Sequence, residues 1–503
     1  MTLPELLRRS AAAHPEKASL IAGSRILTYR ALREEALRLA AVLRGLGLRH
    51  GERVVMMLPN APEFVVAYFA IQEAGGTVVP VNTLFKPDEV RHLLQDSGAP
   101  LAVTLRTFYP TVREAAGGLA ERPRILVLDG EEGALSAPDL TLAEGMRHAQ
   151  QTPAEAPAAE VAACLYTSGT TGRPKGALLT HANILANIAS FGQVIRCAPE
   201  DVFCCVLPMF HSFAATVMIL FPISVGATVV VEPRFAPESL LRTLSERRCT
   251  FFAGVPAMYA LLASLPDVRA DLSALRLCVS GGAPLPVEVL HRFEGRYGIP
   301  IYEGYGPTEC SPALTVNPPS GKRKVGSVGL PLPGVEIRIV DEGGRPVGTG
   351  EVGEVTAKGP NVMLGYLNRP AETAAVLRDG WFYTGDLGRL DEEGYLTIVD
   401  RKKDMLIVGG LNVYPREVEA VLEAHPAVAE AAVIGVPDPV KGEEPLAFVA
   451  LRAGQAASGQ DLLRSLRARL AAFKVPKRII FLEALPRNAT GKVLKHVLKS
   501  QAG

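Results

Sequence analysis

The 503-residue chain lacks a charge surplus. Lysine and arginine number 53, aspartate and glutamate 52, and the formal net charge is +1. That balance excludes a general affinity for polyanions, so no nucleic-acid partner is expected. Cysteine is scarce: seven residues, none in a C-x-x-C pair. An odd count without paired spacing argues against a disulfide framework or a zinc site and fits a reducing, cytoplasmic setting. The first residues, Met-Thr-Leu-Pro-Glu-Leu-Leu-Arg-Arg, bring charge early and no apolar run, so no signal peptide is expected. Tryptophan occurs once, as Trp381, and packing is its expected role. Long apolar runs are also missing, with one exception. From Asp201 to Glu232 no charged residue intervenes, and Phe213–Val231 is almost wholly apolar, which is enough for a membrane span. Pro222 and Gly226 interrupt it, and 227–231 is Ala-Thr-Val-Val-Val. A buried helix followed by a buried strand is therefore expected, with peripheral membrane contact left open.

The length exceeds what one hydrophobic core supports, so more than one domain is expected. Residues 1–150 alternate helix and strand patterns. Thr28 is placed to cap a helix with Leu32, Ala36, Leu39, Leu43 and Leu46 on one face. Val54–Leu58 and Thr77–Val81 read as strands, with helices at about 61–74 and 88–95. Continuously apolar strands between helices predict an α/β layer with both sheet faces covered. No histidine or acid cluster in this third calls for a catalytic role, and it reads as scaffold. Residues 151–160 are a Pro/Ala-rich connector. Near Asp400 the run Asp-Arg-Lys-Lys-Asp leads into a shorter segment. There, helices at 416–424 and 461–472 and strands at 431–436 and 478–482 predict a small α+β domain.

The most chemically loaded stretch is 166–176, Tyr-Thr-Ser-Gly-Thr-Thr-Gly-Arg-Pro-Lys-Gly. Thr167, Ser168, Thr170 and Thr171 supply hydroxyls. Gly169, Gly172 and Gly176 allow backbone N–H groups to face a ligand, and Lys175 adds a point charge. Delivered by a strand at 161–166, this describes a loop that closes over phosphate. Gly176 follows Lys175 where a Walker loop needs Ser or Thr, so P-loop kinase or ATPase chemistry is disfavoured.

This loop resembles the signature of the adenylate-forming enzymes: acyl-CoA synthetases, peptide-synthetase adenylation domains and firefly luciferase. Further motifs follow in that family's order, at 207–213, 281–284, 302–309, 383–388, 401–415 and 486–492. The wording of Gly-Gly-Leu-Asn-Val-Tyr-Pro-Arg-Glu-Val-Glu looks most like bacterial long-chain fatty-acid–CoA ligases. The resemblance implies a large α/β adenylation domain with mixed sheets at 1–400, a hinge at 401–403 centred on Lys403, and a mobile α+β domain at 404–503. It implies ATP, Mg2+ and coenzyme A, a small-molecule acid substrate, and a monomer or homodimer.

The same resemblance assigns roles. His211 would lie by the acyl carboxylate. Gly281-Gly282-Ala283-Pro284 would lie against adenine. In Glu303-Gly304-Tyr305-Gly306-Pro307-Thr308-Glu309, Tyr305 would stack on the base, Thr308 would bond phosphate, and Glu309 would hold magnesium. Asp386 would accept the ribose hydroxyls, with Arg401 as its companion. Lys492 would neutralise charge between carboxylate and α-phosphate. Gly409 and Gly410 would pass the pantetheine of CoA. Phe210, Phe213 and Met258 would gate an acyl pocket. An amino-acid substrate is disfavoured, because no acid stands near His211 to pair a buried amine. Three alternatives stay open: an acyl-AMP ligase loading a carrier protein, a medium-chain or aryl acid ligase, and a non-catalytic relative.

Overall fold

In the computed structural model Thr28 accepts the N–H of Ala31 at 3.1 Å and caps the helix Tyr29–Gly45. The bond satisfies one donor that the first turn leaves without a helical partner. Leu32, Ala36, Leu39 and Leu43 form the buried face, as expected. The structure describes residues 1–131, 133, 135, 137–149, 157–168, 174–266, 270–408, 411–438, 441–488 and 491–501. Most of the 151–160 connector lies outside them.

Among the described residues the strands form four sheets. The first has eight strands. Its parallel centre is Thr77–Pro80, Arg53–Met57, Leu101–Thr104 and Arg124–Val127. On one side it continues into the antiparallel pair Val161–Ser168 and Pro174–Thr180. The second has nine strands, with Ile301–Tyr305, Leu277–Ser280, Phe251–Gly254, Val202–Cys205 and Thr228–Val231 parallel in that order.

Side-chain alternation explains the layering. Val54 and Met56 enter the core between the two large sheets, while Val55 and Met57 enter a core on the outer face. Phe251 and Phe252 divide in the same way. Helices Leu3–Ala13, Tyr29–Gly45, Pro62–Glu73 and His181–Val194 contribute to the shared core. Helices Pro87–Ser97 and Tyr109–Gly117 cover the first sheet outside, and Pro237–Glu246, Pro256–Ser264 and Val287–Tyr297 cover the second. Burial on both faces is why these strands read as unbroken apolar runs.

The long apolar stretch is internal. Ala214–Leu220 forms π-helical turns, Phe221–Ser224 an α-helical turn, and Thr228–Val231 a fully buried strand. No helix among the described residues is long and apolar enough to cross a membrane.

The third sheet pairs Glu336–Val340, Gly353–Lys358, Trp381–Leu390 and Leu396–Arg401 antiparallel. These strands went unread in the sequence. Trp381 packs under the Arg338 guanidinium, 4.0 Å from the ring centroid. The fourth sheet belongs to the C-terminal part. Its long hairpin, Val428–Asp438 with Gly442–Leu451, includes a strand the sequence reading missed. The helix expected over 461–472 spans Gly459–Arg467 instead, because Ser458 caps it early and the chain leaves through a 3-10 turn at Ala472–Lys474. The architecture is a large layered α/β part with mixed sheets followed by a smaller α+β part.

Candidate active site

Four parallel strands of the nine-stranded sheet end on one edge: Val202–Cys205, Phe251–Gly254, Leu277–Ser280 and Ile301–Tyr305. The segments leaving that edge carry Leu207–Phe213, Val255–Met258, Gly281–Pro284 and Gly306–Glu309. Open α/β sheets place ligands at such an edge. Gly281 has no room to spare: a Cβ there would stand 3.3 Å from the Phe213 ring. At Gly304 it would stand 3.1 Å from the Thr315 carbonyl oxygen. Gly282 takes φ +80°, a conformation glycine adopts without strain. Ala283 and Pro284 complete the turn. Leu285 donates its N–H to Glu303 Oε1 at 2.9 Å, and burial pushes the Glu303 carboxyl up to about 7. Glu303 thus ties strand Ile301–Tyr305 to the turn at 281–285.

The hairpin Val161–Ser168 and Pro174–Thr180 sets Thr167 opposite Lys175. Thr167 donates to Glu309 Oε1 at 3.3 Å, and Tyr366 donates to the same oxygen at 2.8 Å. Glu309 is buried in a 3-10 turn, Thr308–Cys310. Two hydroxyls on one oxygen leave Oε2 as the side of the carboxylate for a hard cation. Thr308 Oγ1 lies 3.2 Å from Ser212 Oγ. Among the described residues no group of three His, Cys, Asp or Glu is clustered for a metal. A single carboxylate still fits magnesium that takes its remaining oxygens from phosphates and water.

Asp386 and Arg401 face each other across neighbouring strands, Oδ1 to Nε at 3.3 Å. Tyr305 donates its hydroxyl to Asp386 Oδ2 at 2.6 Å. The three residues form one cluster. Lys403 is exposed in the turn after Arg401, where Asp404 and Met405 donate N–H groups to the Arg401 carbonyl.

His211 Nδ1 accepts the Phe213 N–H at 3.2 Å, so the ring proton belongs on Nε2. Burial, helped by the nearby Lys492 charge, lowers its pKa to about 4 and keeps it neutral. Lys492 comes from the far end of the chain. Its N–H donates to Asn488 Oδ1 at 2.8 Å, and Gly491 turns with φ +78° against Val255. Burial, then the Arg401 charge, brings the Lys492 ammonium down to about 7, partly opposed by Asp386. The structure therefore brings His211, Asp386, Arg401 and Lys492 into one electrostatic neighbourhood.

Beside them lies a cavity of about 240 Å³. Its walls are mostly apolar, with Leu207, Phe213, Phe235, Val255 and Met258, and His211 and Asn488 contribute polar atoms. Phe213 and Met258 line it, while Phe210 is not among its lining residues. Gly169, Thr170, Thr171, Gly172, Gly409, Gly410 and the Ser168 side chain lie outside the described residues.

Sequence reading missed Tyr366 and Glu372. Glu372 forms an ion pair with Lys175, and the Tyr366 ring centroid lies 5.4 Å from the Lys175 ammonium. Tyr366 arrives on a two-residue strand that pairs with Ala177 and Leu178. So short and distant a pairing leaves no periodic signal.

Comparison with known proteins gives a consistent result. Residues 7–367 match the family described as AMP-binding enzyme, and residues 417–492 match the AMP-binding enzyme C-terminal domain. A long-chain-fatty-acid–CoA ligase of Bacillus subtilis (strain 168) is 37% identical over 526 residues, covering 99% of this chain and 94% of that protein. A feruloyl-CoA synthase of Amycolatopsis sp. is 39% identical over 497 residues, covering 98% of each. ATP-bound MatB from Rhodopseudomonas palustris superposes with a TM-score of 0.91 at 34% identity, over 100% of this chain and 99% of that one. Apo MatB gives 0.80 at the same identity and coverage.

Proposed function

This chain belongs to the AMP-binding enzyme family as an AMP-forming acyl-CoA ligase, and we propose that its acid substrate is an apolar carboxylate, in the first instance a long-chain fatty acid. The observation that carries the reading is the arrival of Lys492 beside His211, Asp386 and Arg401 at the strand-end edge.

In the proposed first half-reaction a carboxylate oxygen attacks the α-phosphorus of ATP. The bond to the bridging oxygen of pyrophosphate breaks, leaving acyl-AMP. Two anions meet, so the work is electrostatic. Lys492 places its ammonium between carboxylate and phosphate. Thr308 donates to a phosphate oxygen. Asp386 holds the ribose with Arg401 beside it, and Tyr305 both orients Asp386 and offers its ring to adenine. Glu309 would hold magnesium, which supplies charge neutralisation to the phosphates when bound. In the second half-reaction the CoA thiol gives up its proton and its sulfur attacks the acyl carbon. The C–O bond to AMP then breaks. No enzyme nucleophile is required; six of the seven cysteines are buried and Cys197 is partly so. We take Lys403 as the hinge between the 1–400 and 404–503 parts, Gly409 and Gly410 as the CoA passage, and the reducing cytosol as the setting.

A second reading is an aromatic acid. The likeness to a feruloyl-CoA synthase supports it. So does the cavity, whose 240 Å³ includes the rings of Phe213 and Phe235 in its walls and falls below the ~300–1,000 Å³ usual for ligand sites. Release of pyrophosphate and AMP from acetate through stearate, benzoate and ferulate, each with and without CoA, separates the readings. CoA-dependent turnover rising toward stearate is expected. A maximum at ferulate or benzoate would select the aromatic reading. Pyrophosphate release without CoA dependence would favour a carrier-loading acyl-AMP ligase.

A further inference from the structure

Lys175 sits at the base of the phosphate hairpin, yet its ammonium is already engaged. It pairs with Glu372 on the short helix Pro370–Val376 and rests over the Tyr366 ring. Its side chain is only 13% exposed, so the pair is sheltered relative to an ordinary surface ion pair. Glu372 has a second cationic neighbour. Arg369 Nε lies 3.5 Å from Glu372 Oε1, and Arg369 also donates to Asp96 Oδ1 at 3.1 Å. Asp96 in turn accepts the Tyr166 hydroxyl at 2.8 Å, from the strand that leads into the hairpin. Two cations and two carboxylates therefore balance next to the loop.

We propose that Glu372 is the counter-ion Lys175 exchanges for a polyphosphate, and that this exchange limits how tightly the site holds ATP and pyrophosphate. The inference rests on the ATP-dependent reading of the site. The physical reasoning concerns what each group keeps. When Lys175 turns to phosphate, Glu372 is not stranded, because Arg369 continues to bridge it to Asp96. Glu372 is 35% exposed, so water and Arg369 together keep its carboxylate solvated and paired, and the exchange costs little. When pyrophosphate must leave, Glu372 stands ready to take Lys175 back. A loop with an unneutralised lysine would hold its product more strongly and turn over more slowly. Glu372 is in these terms a positioning residue acting through Lys175.

The test is titration calorimetry of inorganic pyrophosphate with magnesium into the full chain. Wild type, E372Q, K175Q and the double variant are compared, with AMP as control ligand. E372Q keeps the side chain's shape and removes its charge. It is expected to bind pyrophosphate roughly three- to tenfold tighter, the scale of one sheltered charge interaction, with AMP affinity unchanged. Pyrophosphate should also become a stronger product inhibitor. K175Q should weaken binding, and adding E372Q to it should change nothing further. Structural damage would weaken binding, so tightening separates the two roles. Unchanged or weaker binding by E372Q, or tightening that survives in the double variant, would overturn the proposal. Wild-type protein that is folded and binds no pyrophosphate would overturn the ATP-dependent reading and this proposal with it.

Discussion

Lys492 shows how one residue's environment sets a pH dependence. Docked beside Arg401, its ammonium titrates near 7 because burial and a like charge both disfavour the proton. In solution a lysine holds its proton to about 10.4. Docking the C-terminal part therefore costs most below pH 7, where the proton must be carried in, and the cost is relieved between about 7 and 10. The proposed chemistry runs in the opposite direction, because only a protonated Lys492 would stabilise the two meeting anions. Pyrophosphate formation measured as kcat/KM is thus expected to fall as pH rises above about 7. The kcat limb should lie higher, since bound anions raise the lysine pKa. His211 titrates near 4 and should add no limb above pH 5. Replacing Lys492 by arginine should remove the alkaline limb. A kcat/KM profile flat from pH 6 to 9 in the wild type would contradict this account.

At the scale of elements, the strand-end segments depend on close backbone approach. A Cβ on Gly306 would stand 1.9 Å from the Pro312 carbonyl oxygen and 2.8 Å from the Leu314 nitrogen. Leu314 donates its N–H to the Tyr305 carbonyl at 2.9 Å, so this contact fixes the segment between Tyr305 and Glu309. Gly306→Ala should cost about 1–3 kcal/mol by overpacking, seen as a lower urea midpoint, and should impair adenylation as well. An unchanged midpoint would contradict the packing argument. Helices and strands with one dominant period were legible. Thr28 announced its helix, and the unbroken apolar run Val54 through Met57 announced a sheet covered on both faces. The third sheet was not, because register shifts interrupt the pairings of Trp381–Leu390 with Gly353–Lys358 and with Leu396–Arg401 and break the period. The site residues were legible where a motif surrounded them. The roles of Tyr366 and Glu372 were not, because their partners Glu309 and Lys175 are 57 and 197 positions away (366 − 309 and 372 − 175). Glu303 was legible as part of its motif, but its bond to Leu285 depends on a turn 18 residues earlier.

At the scale of the whole molecule, the C-terminal part supplies Lys492 to a site built by the rest. The arrangement is closer to ATP-bound MatB than to apo MatB, 0.91 against 0.80. That fits the half-reaction that makes pyrophosphate. The second half-reaction needs CoA to reach the acyl carbon, and a rotation about Lys403 would withdraw Lys492 and admit it. Lys403→Pro fixes φ at the proposed hinge. It should slow acyl transfer to CoA on the order of tenfold more than it slows adenylation, and equal loss of both would count against the hinge. The division of labour between the two parts is tested most directly with Lys492→Gln, measuring the half-reactions separately in single turnovers. Pyrophosphate formation should fall by on the order of 10²-fold or more, the scale of losing one preorganised charge in the transition state, while CoA acylation from supplied acyl-AMP stays near wild type. Equal loss in both steps, or none in the first, would contradict the account.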